Sequence, residues 1–237
     1  MSPRDGPWRL ATGDVNSDGR DDFVTFNGLD SSLTVRGRTA TGFEAAQTYP
    51  AGDFEGGVQL VDCDNDGDLD LLYTSGSEAS AALSVRKNNG TGTFGAATST
   101  SLGTGLGSTS ALTVGDWNGD GAKDVVVSVS NHAIVRLLGT GSCNFGSKVS
   151  GATQPNPMRI YNADMDKDGN LDLVIAHFLQ SKISIYLGHG DGNFSSPTVL
   201  SMADAVNDLA IGDFNGDASP DIVFIGNEGT YLLGSNP

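Results

Sequence analysis

The chain of 237 residues carries 29 acidic and 13 basic side chains, a formal net charge of −16. A surface of that sign repels phosphate backbones and anionic lipid headgroups, which argues against nucleic acid and membranes as partners. No stretch approaches the roughly 18 consecutive apolar residues of a membrane span, and 33 glycines with few strong helix formers favour a turn-rich, soluble β protein.

The opening MSPRDGPWRL lacks the apolar run of a signal peptide, and a first strand is expected from Trp8. A nonapeptide, DVNSDGRDD, follows at Asp14 and then recurs as DCDNDGDLD at Asp62, DWNGDGAKD at Asp116, DMDKDGNLD at Asp164 and DFNGDASPD at Asp213. The intervals run from 48 to 54 residues. A Gly-rich turn ending in Phe repeats in step, at Phe43, Phe94, Phe145 and Phe194. Two markers holding one period indicate stacked supersecondary units, and periods of about 40–50 residues fit propeller blades.

Each period holds four short strand-like runs; in the second they are GVQLV, LDLLYTS, ALSVRKN and FGAATST. LDLVIAHF (171–178) and DVVVSV (124–129) are nearly continuously apolar, as strands covered on both faces must be. A lone four-stranded sheet cannot cover both its faces, whereas sheets packed radially about an axis can. The expected fold is an all-β propeller of five four-stranded antiparallel blades in one domain, with repeats near 8–52, 53–104, 105–152, 153–202 and 203–237.

In every nonapeptide oxygen-bearing residues occupy positions one, three, five and nine, with Gly usually at six. Carboxylates crowded this way repel one another and resist burial unless something neutralises them. Hard oxygen donors in a tight loop suit Ca²⁺, which takes six to eight oxygens, and a backbone carbonyl at position seven adds one more. The expected ligands are Asp14, Asn16, Asp18, Arg20 and Asp22 in the first loop, and Asp62, Asp64, Asp66, Asp68 and Asp70 in the second. Asp116, Asn118, Asp120, Ala122 and Asp124 form the third set; Asp164, Asp166, Asp168, Asn170 and Asp172 the fourth; Asp213, Asn215, Asp217, Ser219 and Asp221 the fifth. An EF-hand is rejected, because it needs Glu at position twelve, where this chain has Thr25, Tyr73, Val127, Ile175 and Phe224. Mg²⁺ is disfavoured by its demand for strict octahedral geometry.

These loops, with the Gly-rich turns before Phe (TFGA, NFGS, GDGNF), resemble the FG-GAP, or VCBS, repeats of integrin α-subunit-type propellers, which also occur in secreted bacterial proteins and some fungal lectins. The resemblance implies that the calcium loops join the first and second strands of each blade on one face of the disc. It also implies that ligands bind on the opposite face or between blades. Two departures stand out: the fifth loop has Ala218 in place of Gly, followed by Ser219 and Pro220, and the fifth repeat lacks a Phe-bearing fourth strand. Either the ring closes with one three-stranded blade or the chain is a segment of a larger propeller; a closed or nearly closed five-bladed unit is the expectation, and the loop at 213–221 is expected to bind calcium most weakly.

Other residue patterns point to structure. Trp8 and Trp117 are expected to pack, and His132, His177 and His189 form no triad by spacing. Cys63 and Cys143 allow at most one bridge, and two free, inert thiols are the expectation. The triplets at Asn89 and Asn193 match the glycosylation pattern only weakly. The whole reads as a non-catalytic, extracellular, calcium-stabilised module for a glycan or protein ligand, contacted through the connections at 27–32, 75–80 and 99–110. The alternatives are the scaffold of a polysaccharide-active enzyme and a structural spacer.

Overall fold

The computed structural model describes residues 7–28, 30–52, 56–75 and 80–233, and the side chain of Trp8 lies outside what it describes. The chain folds into five antiparallel meanders. The first is β1 (Pro7–Gly13), β2 (Asp22–Asn27), β3 (Ser32–Arg36) and β4 (Gln47–Pro50). The second is β5 (Val58–Val61), β6 (Asp70–Ser75), β7 (Ala82–Arg86) and β8 (Thr98–Ser101). The third runs β9 (Thr109–Gly115), β10 (Asp124–Val129), β11 (Ala133–Gly139) and β12 (Phe145–Ala152), and the fourth β13 (Pro157–Ala163), β14 (Asp172–His177), β15 (Lys182–Tyr186) and β16 (Thr198–Ser201). The last has three strands, β17 (Asp208–Gly212), β18 (Asp221–Ile225) and β19 (Thr230–Leu233).

Within each sheet the strands follow chain order, so hairpins alone make the blade. Innermost strands pack in sequence, β1 on β5, β5 on β9, β9 on β13 and β13 on β17. A channel of about 560 Å³ is lined by residues of all five, among them Gln59, Leu112, Arg159 and Leu209. The fourth strand of the second blade covers only the end of FGAATST; Phe94 before it meets Asn88 in an isolated bridge.

Alternation along the second strand of a blade divides its side chains between two neighbours. The residue after the position-nine aspartate faces the preceding blade: Leu71, Val125, Leu173 and Ile222 are all buried there. The next residue faces the following blade, and Val24, Leu72, Val126 and Val174 are each 0% exposed. Four apolar clusters therefore sit between blades, which explains the continuously apolar strands.

Two expectations need correction. Among the described residues no fifth interface of this kind closes the ring: Phe23 is only half-buried on the leading face of blade one, and Ile225 and Leu232 are exposed on the far face of blade five. Cys63 and Cys143 are not free thiols but a disulfide, with Cα atoms 4.9 Å apart and 80 residues between them in sequence. The bridge ties the second nonapeptide loop to the Gly-rich turn of the third blade.

Candidate metal loops and ligand surfaces

All five nonapeptides lie between first and second strands, as the resemblance implied, and they fold alike because the same hydrogen bonds recur. The position-one carboxylate accepts the N–H of position six through Oδ2: Gly19 to Asp14 at 2.7 Å, Gly67 to Asp62 at 3.0 Å, Gly121 to Asp116 at 2.9 Å and Gly169 to Asp164 at 3.0 Å. Ala218 donates to Asp213 at 3.0 Å in the same way. The position-five carboxylate accepts the N–H of position seven in every loop, from Arg20, Asp68, Ala122, Asn170 and Ser219, at 2.7–2.9 Å. These bonds demand left-handed backbone at position six, where φ is 81° at Gly19 and 62° at Ala218. Position four is left-handed too, at Ser17, Asn65, Gly119, Lys167 and Gly216. Sequence reasoning missed it, because three of those five residues are not glycine.

The position-nine aspartates hold the loops to the sheet. Asp22, Asp70, Asp124, Asp172 and Asp221 are buried. Each accepts the N–H of position two through Oδ2, from Val15, Cys63, Trp117, Met165 and Phe214. In the first four blades the other oxygen accepts an N–H from the Gly-rich turn, donated by Arg38, Asn88, Gly139 and Gly188. Burial pushes the carboxyls of Asp70, Asp124 and Asp172 up from the ordinary aspartate value, against the pull of those N–H donors; acidic neighbours add to the rise. A bonded Lys87 pulls Asp64 down instead, and the Asn170 N–H does the same for Asp168.

Two loops bring carboxylates together, at positions one, three and five in the second and at one, three and nine in the fourth. Carboxylate oxygens of Asp62, Asp64 and Asp66, and of Asp164, Asp166 and Asp172, lie within 4.8 Å of one another. Lys87 Nζ is 2.8 Å from Asp64 Oδ2, while buried Asp64 Oδ1 has no hydrogen-bond partner among the described residues. An orphaned buried oxygen inside a carboxylate cluster fits a hard divalent cation. The loops at Asp14, Asp116 and Asp213 carry an amide in place of that carboxylate at position three, Asn16, Asn118 and Asn215.

Position two projects sideways as a peg into the next blade. Val15 clusters with Phe94, Trp117 meets Phe194 edge-to-face at 6.1 Å, and Cys63 bonds Cys143. The peg's carbonyl accepts a hydrogen bond from that neighbour, from Asn88 Nδ2 at 2.7 Å, the Cys143 N–H at 3.2 Å and the Gly192 N–H at 2.8 Å. Trp117 is buried, so its packing role holds.

On the opposite edge, the insertion between β8 and β9 is held to the neighbouring β10–β11 turn. Ser108 N–H donates to Ser130 Oγ at 3.0 Å and Asn131 Nδ2 to the Gly105 carbonyl at 2.8 Å. The connections at 27–32 and 75–80 fall partly outside the described residues. Between the outer strands of blades three and four lies a groove of about 210 Å³, lined by Arg136, Tyr186, Asn193 and Phe194 among others. His177 is buried; its ring nitrogens meet the Pro155 carbonyl at 3.2 Å and Ser184 Oγ at 2.8 Å. His189 lies 3.3 Å from Ser195 Oγ in an exposed turn.

Radial four-stranded meanders with aspartate loops between first and second strands define a β-propeller. The chain belongs to the FG-GAP repeat family: the profile of the FG-GAP-like repeat matches residues 62–127 and 164–224, and that of the FG-GAP repeat matches 6–43. No curated protein matches the sequence. Among solved structures, the chain is similar to an Agrocybe aegerita lectin described as recognising non-reducing terminal N-acetylglucosamine, at 21% identity and a TM-score of 0.64 over 93% of this chain and 61% of that one. It is also similar to BBS1N in complex with ARL6DN (12%, 0.61, 97% of this chain and 70% of that one). A third likeness is to the Photorhabdus luminescens Tc holotoxin pore (19%, 0.54, 94% and 11%). The chain thus spans 61% of the lectin's length and a small part of the toxin's, and at these identities the likeness is one of fold.

Proposed function

We propose that the chain is a non-catalytic, extracellular binding module whose blades are stabilised by calcium and whose ligand is a glycan or a protein. The observation that carries the metal is the carboxylate cluster of the second loop, with Asp64 Oδ1 buried and unpartnered beside Asp62 and Asp66. Calcium would be held by the side chains of positions one, three, five and nine and the carbonyl of position seven, from Asp62 to Asp70 and at the four matching loops. Bound, it supplies the counter-charge that lets the buried aspartates stay ionised. The loop carboxylates are thereby committed to structure.

The ligand reading rests on a concave surface between blades three and four, beside the third loop, whose Trp117 packs on Phe194, and on a fold shared with a lectin and with a domain crystallised in a protein complex. The groove beside Tyr186 and Phe194 offers aromatic rings with Arg136 and Asn193, a combination that suits a sugar's apolar face and hydroxyls.

Chelation tests the metal. At free calcium about 100 times the dissociation constant each site contributes roughly 2.7 kcal/mol. Exhaustive chelation is expected to lower the melting temperature sharply, with calcium restoring it and magnesium restoring little. An unchanged melt removes the metal. A glycan array with calcium present tests the ligand: binding without turnover supports the module, and release of cleaved product moves the chain among polysaccharide-active enzymes.

A further inference from the structure

The second nonapeptide stands apart from the other four in charge. It carries five aspartates and no basic residue, a formal −5. The first contains Arg20, the third Lys123 and the fourth Lys167, and the fifth has only three aspartates, so their formal charges are −2 or −3. A positive charge reaches the second loop from elsewhere in its blade. Lys87, just past the end of β7, places Nζ 2.8 Å from Asp64 Oδ2. Its backbone is fixed on both sides: the Gly95 N–H donates to the Lys87 carbonyl at 2.8 Å, and the N–H of the next residue, Asn88, donates to Asp70 Oδ1 at 2.9 Å. In blades one, three and four the residue at this place, preceding the N–H donor to the position-nine aspartate, is Gly37, Leu138 or Leu187. None of these carries a charge.

An exposed lysine–aspartate pair is ordinarily worth little. Here the Asp64 side chain is only 13% exposed, and its other oxygen, Oδ1, is buried and unpartnered beside Asp62 and Asp66. The ammonium therefore lies against the loop whose own charge is least compensated. We propose that Lys87 is the resident counter-cation of the second loop, holding Asp64 in place without metal and setting the loop's affinity for calcium by opposing the incoming ion. The inference rests on the calcium reading above. A fixed positive charge repels a divalent ion twice as strongly as a monovalent one, and salt screens that repulsion. One side chain thus has two effects of opposite sign: it stabilises the metal-free loop and weakens the loop's hold on metal.

Calcium titration of ¹⁵N-labelled protein, followed at the amides of Gly67 in the second loop and Gly169 in the fourth, tests this. Lys87→Met is expected to tighten the second site by about fivefold or more at low salt, a gain that shrinks as salt rises, while the fourth site stays as it was. Lys87→Arg should keep the parent's affinity. Lys148→Met, which removes the same charge from β12 where Nζ bonds the Ser101 carbonyl, should change neither site. In chelator, Lys87→Met should melt below the parent. Spectra in calcium establish that the variants fold. With Gly67 responding to calcium, a second site unchanged or weakened in Lys87→Met overturns the proposal and leaves the calcium reading standing, as does a gain that Lys148→Met reproduces. A Gly67 amide that calcium shifts in no variant overturns both.

Discussion

The second and fifth blades begin with the same nonapeptide and end in different circumstances. In the second, Leu71 and Leu72 are both 0% exposed because blades one and three cover the two faces of β6. Its peg, Cys63, is covalently joined to the third blade. In the fifth, Ile222 is buried against blade four, yet Leu232 is 53% exposed and the peg Phe214 lies open. The loop itself is nevertheless the same, down to the Ala218 N–H bonded to Asp213 Oδ2. Loop conformation is thus set by bonds among nine neighbouring residues, whereas the burial that stabilises a blade comes from its neighbours.

Paired leucine truncations should break the comparison most severely. Leu72→Ala removes a fully buried side chain packed between blades two and three and is expected to cost about 2–5 kcal/mol. Leu232→Ala on the open face of blade five should stay within about 0.5 kcal/mol. Denaturant unfolding of both in calcium measures the pair; equal losses would show that the outer face of blade five is covered in solution.

Removing the covalent peg comes next. Replacing Cys63 and Cys143 together by alanine opens a loop closed over 80 residues and is expected to cost about 2–5 kcal/mol. The midpoint of unfolding should fall to match that of the unaltered chain under reductant. A double variant as stable as its parent would mean that apolar packing alone joins these blades, as it does at Val15.

The parts that are legible in the sequence follow that division between local and distant. Five loops, the strands on either side of them and the three-stranded last blade are written in phased nonapeptides and period-two patterns. The left-handed turn at position six is announced by Gly19, Gly67, Gly121 and Gly169. Its companion at position four is hidden, because Ser17, Asn65 and Lys167 carry no glycine mark. The disulfide was hidden for a different reason: Cys63 and Cys143 come together only once blade two has packed on blade three. Ring closure is equally non-local, since it depends on how far each blade rotates about the axis. The peg and socket that join blades are visible only when the loops are superimposed on the fold.

Covering also acts on protonation. His177, fully buried between neighbours in the fourth blade, has its pKa pushed below the ordinary 6.5 by desolvation, against the pull of the Pro155 carbonyl. Below pH 6.5 the unfolded chain takes up a proton that the folded chain refuses, so stability rises with pH and is lost as pH falls through that region. Melting temperature should therefore decline from pH 7 toward 5, and His177→Asn should flatten the decline. A slope identical in the variant would place the responsible group elsewhere.

The smallest expected effect is the most local. Ala218 holds φ at 62° where the other four loops have glycine, and a Cβ in left-handed backbone costs on the order of 1–2 kcal/mol. Ala218→Gly relieves that strain but frees the unfolded chain, which returns roughly 0.5–1 kcal/mol to the unfolded side. The net gain should be at most about 1 kcal/mol. Calcium binding separates the two contributions: if the strain lies in the loop, the fifth site should tighten in the glycine variant, because the turn that presents Asp213, Asp217 and Asp221 no longer resists closure. Gly67→Ala in the second blade is the reverse experiment. Nothing lies within 4 Å of a Cβ built there, so the cost is backbone conformation alone, and it should weaken the second site by the same factor that Ala218→Gly strengthens the fifth. Calorimetric titration of both variants reads the two factors. If the fifth site is unmoved while the second weakens, the loop beside Pro220 has found a conformation in which the Cβ costs nothing, and the strain argument fails.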